Sequence, residues 1–435
     1  MVRLPRWGGN GMSVTSKLTV IGAAGGQSGP EYWASRIERT TNDDIFFLGV
    51  CCDSADNIIA VGHRDYSNPK GFIIKYDKFG DVQWQVELDV GVTAQCLKVA
   101  TDSNDNIYVT AGGFYSNYNR SFLLKYDAAG NFQWSRSYSN NQFYVFRNVD
   151  VDDNDYIYVS GSDASSRCMW AKYDASGTLQ NSKSLYNGTL YSESFRQGVV
   201  VPSTGEWIQA GNTSQSGVDS DGTMVKINSS GGISFRKRYF GTNTQICYSA
   251  GAKSDGSAFY TFIFDLNGGP TTYYRIVKLN SSGSLVRSVY TAEPYTGDMA
   301  VDSNTRVLIA GSTGFISCDE YLNAGSTFSR SFSGFNPNAI AVDSNNNIIF
   351  AGKTGASAFR ADEGAVIKLP ADGSGTGTWD WLTYSTGTGG ISGTVGVSNT
   401  STTAYMNTPN GSFSSIDPFT KTDPAYTTEL YEIEP

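Results

Sequence analysis

A unit of about fifty residues recurs along this chain, and its length sets strict limits on the fold. Each copy opens with an Asp-x-x-x-Asn turn and closes with Lys-Tyr-Asp-x-x-Gly. The two clearest copies run from Asp53 to Trp84 and from Asp102 to Trp134. A unit this short cannot bury a core alone, so neighbouring copies must stack on one another. Function is then expected at positions that depart from the repeat.

The repeat predicts four short strands per copy. Alternating apolar residues precede each opening, which indicates a half-buried first strand. A polar turn leads to a second strand ending near glycine, a third carrying Lys-x-Asp or Lys-x-Asn, and a fourth carrying Trp84, Trp134 or Phe235. Four antiparallel strands per unit are typical of a propeller blade. The eight openings are Asp53, Asp102, Asp152, Pro202, Lys253, Asp302, Asp343 and Ser398.

The two ends of the repeat array predict how it closes. The last unit, from Ser398, lacks a recognisable fourth strand, while EYWASRIE (31–38) resembles a fourth strand on its own, with Trp33 matching Trp134. We therefore predict an all-β, closed β-propeller of about eight four-stranded blades, in which the N-terminal strand completes the last blade. Seven blades plus a separate C-terminal segment remain the alternative, because the unit at 302–332 is short and TELYEIEP (428–435) could itself be a strand.

These boundaries divide the chain into three parts. Residues 1–30 form an N-terminal arm without repeat character, residues 31–420 form the propeller, and residues 421–435 form a C-terminal tail. The arm carries Arg3, Arg6 and Trp7 among glycines, a composition that does not fold alone. We expect it to be an attachment segment that a partner orders.

The motifs NIYVTAGG, FLLKYDAAG and FQW resemble the bacterial and viral β-propeller repeat family. The opening EYWASRI and the Tyr, Ser and Asn-rich character more loosely resemble β-propeller proteins of tailed bacteriophages that infect marine bacteria and cyanobacteria. This resemblance implies a non-enzymatic structural or adhesion component of a virion, associated with the tail and made in the host cytoplasm. Its expected partners are other virion proteins, through residues 1–30, and a host surface glycan.

Composition argues against several other classes. The net charge is -9 and is spread without long runs, so nucleic-acid binding is not expected. No apolar segment approaches the roughly 18 residues of a membrane span, and residues 18–26 are too short for a signal-peptide core, so we expect neither membrane insertion nor a signal peptide. His63 is the only histidine. We treat it as an ordinary loop residue and expect no catalytic residue, no cofactor and no metal site.

Residues that recur in register are interpreted as structural. Cys96 and Cys247 replace aromatic residues at one repeat position and are expected in the core. The acidic turns at 150–155 and 219–222 could hold calcium, but Asp and Asn at this position also cap turns, which is the favoured interpretation. Each recurring lysine of the third strand is expected to pair with a carboxylate of its own or the next blade.

The variable loops after the second and fourth strands form the expected partner or ligand face. Tyrosines among Asn, Ser and Gly suit polar contacts or stacking on sugars. They are Tyr66, Tyr115, Tyr118, Tyr144, Tyr273, Tyr274 and Tyr295. Two alternatives remain open, a carbohydrate-active enzyme acting on this face and a bacterial surface binding module.

Overall fold

The computed structural model describes most of the chain from residue 31 onward. The described residues are 31–38, 44–64, 69–89, 93–115, 118–139, 145–162, 167–186, 191–215, 220–239, 245–265, 272–291, 297–324, 327–355, 363–374, 377–378, 382–386, 391–394, 399–401, 405–407, 412–414, 420–422 and 427–432. Regular structure in these residues consists of β-strands. The predicted arm, with Arg3, Arg6 and Trp7, lies outside them.

Seven antiparallel sheets form the blades of a propeller, numbered 1 to 7 along the chain. The first strands of blades 1 to 7 are Ile45–Cys52, Thr93–Thr101, Val145–Val151, Tyr191–Val201, Gln245–Ala252, Met299–Val301 and Phe335–Val342. The second strands are Ile58–Arg64, Ile107–Tyr115, Ile157–Ser162, Glu206–Gln215, Ala258–Asp265, Val307–Gly311 and Ile348–Thr354.

The outer half of each blade has the same order. The third strands are Lys70–Tyr76, Tyr118–Tyr126, Cys168–Tyr173, Asp221–Ile227, Thr272–Leu279, Gly314–Cys318 and Gly364–Leu369. The fourth strands are Val82–Asp89, Phe132–Ser139, Leu179–Tyr186, Ile233–Tyr239, Leu285–Thr291, Phe328–Ser333 and, for blade 7, Trp33–Glu38. The fold is therefore a seven-bladed β-propeller. The preferred prediction of eight blades is wrong, and the alternative of seven is confirmed.

The hydrophobic core lies between blades rather than within them. The first strands of neighbouring blades contact one another around the ring. Seven clusters of buried apolar side chains each join one pair of adjacent blades, including the pair formed by blades 7 and 1. The second strand of blade 1 is buried at every position except its last, because neighbours cover both faces of the sheet. This arrangement explains why a single repeat cannot fold alone.

The N-terminal strand closes the ring as predicted. Trp33–Glu38 pairs antiparallel with Gly364–Leu369 and supplies the fourth strand of blade 7. Trp33 is fully buried, and its indole N–H donates to the carbonyl of Lys78 in blade 1 at 3.1 Å. Trp84 and Trp134 make the same hydrogen bond to the next blade, to Ala128 and Ala175. The match of Trp33 to Trp134 therefore holds in the structure.

The segment after blade 7 is not an eighth blade. It runs back around the circumference and adds short outer strands to the blades in reverse order, and we call this segment the belt. Its strands are Gly377–Thr378 and Thr383–Thr386 on blade 6, then Ile391–Thr394, Asn399–Ser401, Tyr405–Asn407, Ser412–Ser414 and Thr420–Thr422 on blades 5 to 1. The last, Thr427–Glu432, pairs with the closing strand Trp33–Glu38. The prediction that TELYEIEP contains a strand is confirmed.

A β-bulge recurs in the first strand of the blades. In blade 1 it lies between Phe47 and Gly49, opposite a glycine of the second strand that stands two residues before the end of that strand. A Cβ atom at that glycine, Gly62, would overlap the carbonyl oxygen of Phe46. Glycine is therefore required here by the close approach of two backbones.

Candidate functional site

The Asp that opens the repeat builds a turn and a contact between blades. Asp53 Oδ1 accepts the backbone N–H groups of Ala55 and Asn57 at 3.0 and 2.8 Å. Ser54 then donates its N–H and its hydroxyl to the carboxylate of Asp105 in blade 2, at 2.8 and 2.9 Å. Equivalent contacts run from Ser103 to Asp155, from Ser344 to Asp56 and from Ser303 to Asn346. The structural interpretation of these turns is confirmed for these blades.

The recurring lysines pair with carboxylates, as predicted. Lys75 Nζ lies 2.8 Å from Asp53 Oδ2, and both side chains are buried. Lys278 pairs instead with Glu320 of the next blade. The other described pairs within one blade are Lys125 with Asp102, Lys172 with Asp152, Lys226 with Glu206 and Lys368 with Asp343. Lysines of blades 1, 2, 4 and 7 also donate to carbonyls of the next blade, so these charges orient neighbouring blades.

Three alternate blades meet at the centre of the ring through residues that do not repeat. Lys98 of blade 2 and Gln197 of blade 4 each follow the bulge of their first strand, and Asp298 directly precedes the first strand of blade 6. Lys98 Nζ lies 2.5 Å from Asp298 Oδ2, and Gln197 Nε2 donates to Asp298 Oδ1. The backbone N–H groups of Met299 and Ile340 donate to the same carboxylate. We call Lys98, Gln197 and Asp298 the central junction.

The central junction closes the channel at its level. Blades 2 and 6 lie on opposite sides of a seven-membered ring, so a direct contact between their side chains has to cross the axis. Asp298 is buried, with four donors directed at its two carboxylate oxygens. A buried carboxylate with this many donors is stable only while they remain in place. The junction therefore ties together blades that are not neighbours.

Asp150 lines the channel on the side of the junction that faces the Asp turns. It stands two residues before Asp152, where other blades have small residues such as Ala100 and Gly251. Burial raises the pKa of the Asp150 carboxyl to about 6, although the backbone N–H groups of Val200 and Val151 donate to it at 2.8 and 2.9 Å. This carboxyl therefore changes its charge at about pH 6.

Two arginines occupy the bulge position on the opposite side of the junction. Arg147 and Arg196 lie in the bulges of the adjacent blades 3 and 4. Arg196 donates to Asn212 Oδ1 at 3.2 Å, and its guanidinium lies over the ring of Tyr248 at 4.7 Å. The surrounding protein displaces part of the water around the Arg147 guanidinium, and this desolvation, together with the neighbouring charge of Arg196, lowers the pKa of Arg147. Two positive charges thus lie at matching bulge positions of adjacent blades.

The predicted tyrosine face is described only in part. In blade 2, Tyr115 ends the second strand, Tyr118 begins the third, and the two residues pair with each other across these strands. Tyr273 lies in the third strand of blade 5. Tyr274, next to it, is half-buried. Tyr66, Tyr144 and Tyr295 lie outside the described residues. The role of these tyrosines as a partner or ligand face stays a prediction.

His63 and the register cysteines have structural surroundings. His63 is not a loop residue, because it lies in the second strand of blade 1, is buried and stacks on Phe46 with ring centroids 5.1 Å apart. Cys96 and Cys247 are fully buried in the clusters between blades, as predicted. Of the second acidic turn, Asp221 forms an ion pair with Arg238 at 3.2 Å.

The central junction has a sequence signal, which is one variable position in, or directly before, the first strand of each blade. In blades 1 to 7 this position carries Gly49, Lys98, Asn148, Gln197, Ser249, Asp298 and Ala339. No residue type dominates this column, whereas the column directly after it is consistently apolar or small. A position that varies within a regular repeat is a candidate for function. Gln197 of blade 4 does not align with the other residues of this column in the sequence, because the first strand of blade 4 is one residue longer between the bulge and the turn.

Comparisons with known proteins identify the fold class. No protein-family model matches the chain, and no curated protein does. Among solved structures, the polysaccharide lyase Uly1 is similar with a TM-score of 0.52 and 11% identity, over 79% of this chain and 100% of that one. The β-propeller domain of the Trilobed protease from Pyrococcus furiosus has a TM-score of 0.49 and 8% identity, over 75% and 94%. YCF48 bound to D1 peptide has a TM-score of 0.44 and 11% identity, over 83% and 97%.

At 11% identity, the similarity to Uly1 concerns the fold alone and shows nothing about activity. The described part of the chain also contains no helix with the length and apolar character that a membrane crossing needs.

Proposed function

We propose that this protein is a non-enzymatic structural or adhesion component of a bacteriophage virion, associated with the tail. The observation that carries the proposal is the belt, which adds an outer strand to every blade and ends against the N-terminal closing strand. Both ends of the ring are thereby held in blade 7. A particle component works outside the cell, where unfolded protein is not rescued, so slow unfolding is its main requirement.

The use of the repeated charges also supports a structural role. The carboxylates and lysines that recur in register are engaged in turns and in contacts between blades, as with Asp53, Lys75 and Asp105. The belt covers the outer edges of the blades, which would otherwise be open to pairing with other strands. The faces of the propeller then remain for partners. In this proposal residues 1–30 attach the protein to other virion proteins, and the tyrosine-bearing loops contact another virion protein or a host surface glycan.

The assembly can be tested on purified particles produced by a genome that encodes this chain. We expect mass spectrometry to find the chain in the particle at a fixed copy number, and deletion of residues 1–30 to remove it from the particle. Circular dichroism of the deletion variant supplies the control, because the propeller begins at residue 31 and should stay folded. Finding the intact chain only in the soluble fraction of the lysate would overturn the proposal.

The role of the belt can be tested by truncation after residue 386. The seven apolar clusters lie among residues before this point, so we expect the ring to fold. Its unfolding in guanidinium should be at least tenfold faster, because the outer strands no longer have to separate first. An unchanged unfolding rate would remove the argument from the belt.

A further inference from the structure

The two bulge arginines belong to an acidic protein, but they have no acidic partner among the described residues. The chain has a net charge of -9, yet among the residues that the structure describes no carboxylate forms an ion pair with Arg147 or Arg196. The carboxylate of the central junction, Asp298, is already occupied by Lys98, Gln197 and two backbone N–H groups. It has no further capacity to neutralise the arginines.

The surroundings of the arginines fit a ligand-binding cup. The central junction forms its floor, since side chains from blades 2, 4 and 6 meet there. Its wall is the ring of bulge positions directly beside the junction, which contains Leu48, Leu97, Arg147, Arg196, Tyr248 and Asn338. Arg147 is exposed, while the other five are half-buried or exposed, so the wall is open to solvent.

The arginine of blade 4 is held in place before any ligand arrives. Its guanidinium is fixed by Asn212 Oδ1 on one side and by the ring of Tyr248 on another. A planar guanidinium that is already oriented loses less entropy when it binds an oxyanion, and it can donate two parallel hydrogen bonds. The like charge of the neighbouring Arg147 is unfavourable in the free protein. An anion between the two would remove that repulsion.

We infer that Arg147 and Arg196 form an oxyanion-binding site in the blind cup above the central junction, suited to a ligand that presents a carboxylate or phosphate group. This site does not depend on the virion role. Two guanidinium groups can bind a sugar carboxylate or a free phosphate through the same hydrogen bonds. Only titration distinguishes these two sources.

The experiment is isothermal titration of the full-length protein with glucuronate, inorganic phosphate and glucose. We expect glucuronate, phosphate or both to bind, with affinity falling as sodium chloride is raised, and glucose not to bind. Binding of glucuronate alone identifies a carboxylate site, and binding of phosphate alone identifies a phosphate site. Each result supports the oxyanion cup. Absence of binding for both anions at millimolar concentration, or equal binding of glucose, would overturn it.

Matched variants assign the binding to the two arginines. Arg147→Gln and Arg196→Gln should each lower the affinity for the anion about ten- to hundredfold, because each removes a charge-assisted pair of hydrogen bonds. The affinity of Arg147→Lys should lie between that of Arg147→Gln and that of the unmodified protein. Lys183→Gln removes the same charge from the fourth strand of blade 3, far from the axis, and should bind normally. Thermal melts control for folding, and folded arginine variants that bind like the unmodified protein would contradict the assignment.

Discussion

The Asp turns and the centre of the ring contain the same types of charged residue but use them differently. Asp53 pairs with Lys75 inside its own blade, and versions of this pair recur in other blades. Asp298 pairs with Lys98 from the far side of the ring, and this pair has no counterpart elsewhere in the described residues. The charged pairs that recur hold the blades together, and we call these residues the framework. The charged residues that occur once line the centre of the ring. The distinction separates structural residues from candidates for recognition.

The largest effect should come from Trp33, where the framework depends on a strand from the other end of the chain. Trp33→Ala should lower the free energy of unfolding by about 3–5 kcal/mol, because it empties a fully buried site between blades 7 and 1. Urea unfolding followed by circular dichroism measures it. Val286→Ala, on an exposed site of blade 5, is the control and should change little. Similar losses in both variants would mean that the closing strand is not needed.

Asp53→Asn tests a single framework pair. Loss of the buried partner of Lys75 should cost about 3 kcal/mol at pH 7, which urea unfolding measures. Burial acts to raise the pKa of Asp53, but hydrogen bonds from Lys75 and Asn57 outweigh it and hold the pKa below its usual value. The stabilisation is therefore present above the usual pKa, about 4, and is lost as the pH falls below it.

The control for Asp53→Asn is Asp77→Asn, at a turn whose carboxylate accepts two N–H groups but has no lysine in the described salt bridges. It should cost about 1 kcal/mol. Equal costs for the two variants would show that the ion pair adds nothing beyond the turn.

Asp150→Asn tests a carboxyl that the framework does not need. Because burial raises the pKa of Asp150 to about 6, the folded protein binds a proton that the unfolded chain releases near pH 4. The free energy of unfolding of the unmodified protein should therefore decrease as the pH rises from about 4 to about 6. The variant lacks this loss, so its stability relative to the unmodified protein should improve by about 2 kcal/mol from pH 4 to pH 8.

Urea unfolding across this pH range measures the difference. Asp153→Asn, at an exposed position of the adjacent turn, is the control and should show no such trend. If the Asp150→Asn difference does not change with pH, then the Lys98 charge and the backbone N–H groups of Val151 and Val200 balance the burial of the carboxyl.

The smallest effect is expected for the contacts between turns. Ser54→Ala removes one exposed hydroxyl hydrogen bond to Asp105 and leaves the backbone bond, so it should cost about 0.5–1 kcal/mol. Ser103→Ala should cost the same, because its contact with Asp155 repeats the geometry one blade further on. Urea unfolding of both variants tests this, and a large difference between them would show that the repeated positions are not equivalent.

Much of the framework could be read from the residues. The four-strand unit, the turn role of Asp53, the pairing of Lys75 and the closing role of Trp33 follow from local spacing and from comparison of one copy with the next. The blade count was harder, because the unit from Ser398 contains apolar and polar residues in strand-like order. Short strands of this kind fit either a blade or the edge of another blade, and the difference lies in distant pairing.

The amino-acid sequence predicts a ring of stacked β-sheet units and the residues that hold neighbouring units together, since both depend on contacts that repeat at a fixed spacing. The seven blades, the belt and the meeting of Lys98, Gln197 and Asp298 at the axis are visible in the three-dimensional structure alone. Lys98 and Asp298 lie two hundred residues apart and occur once. Their proximity is set by closure of the ring, which brings opposite blades within reach at one central level.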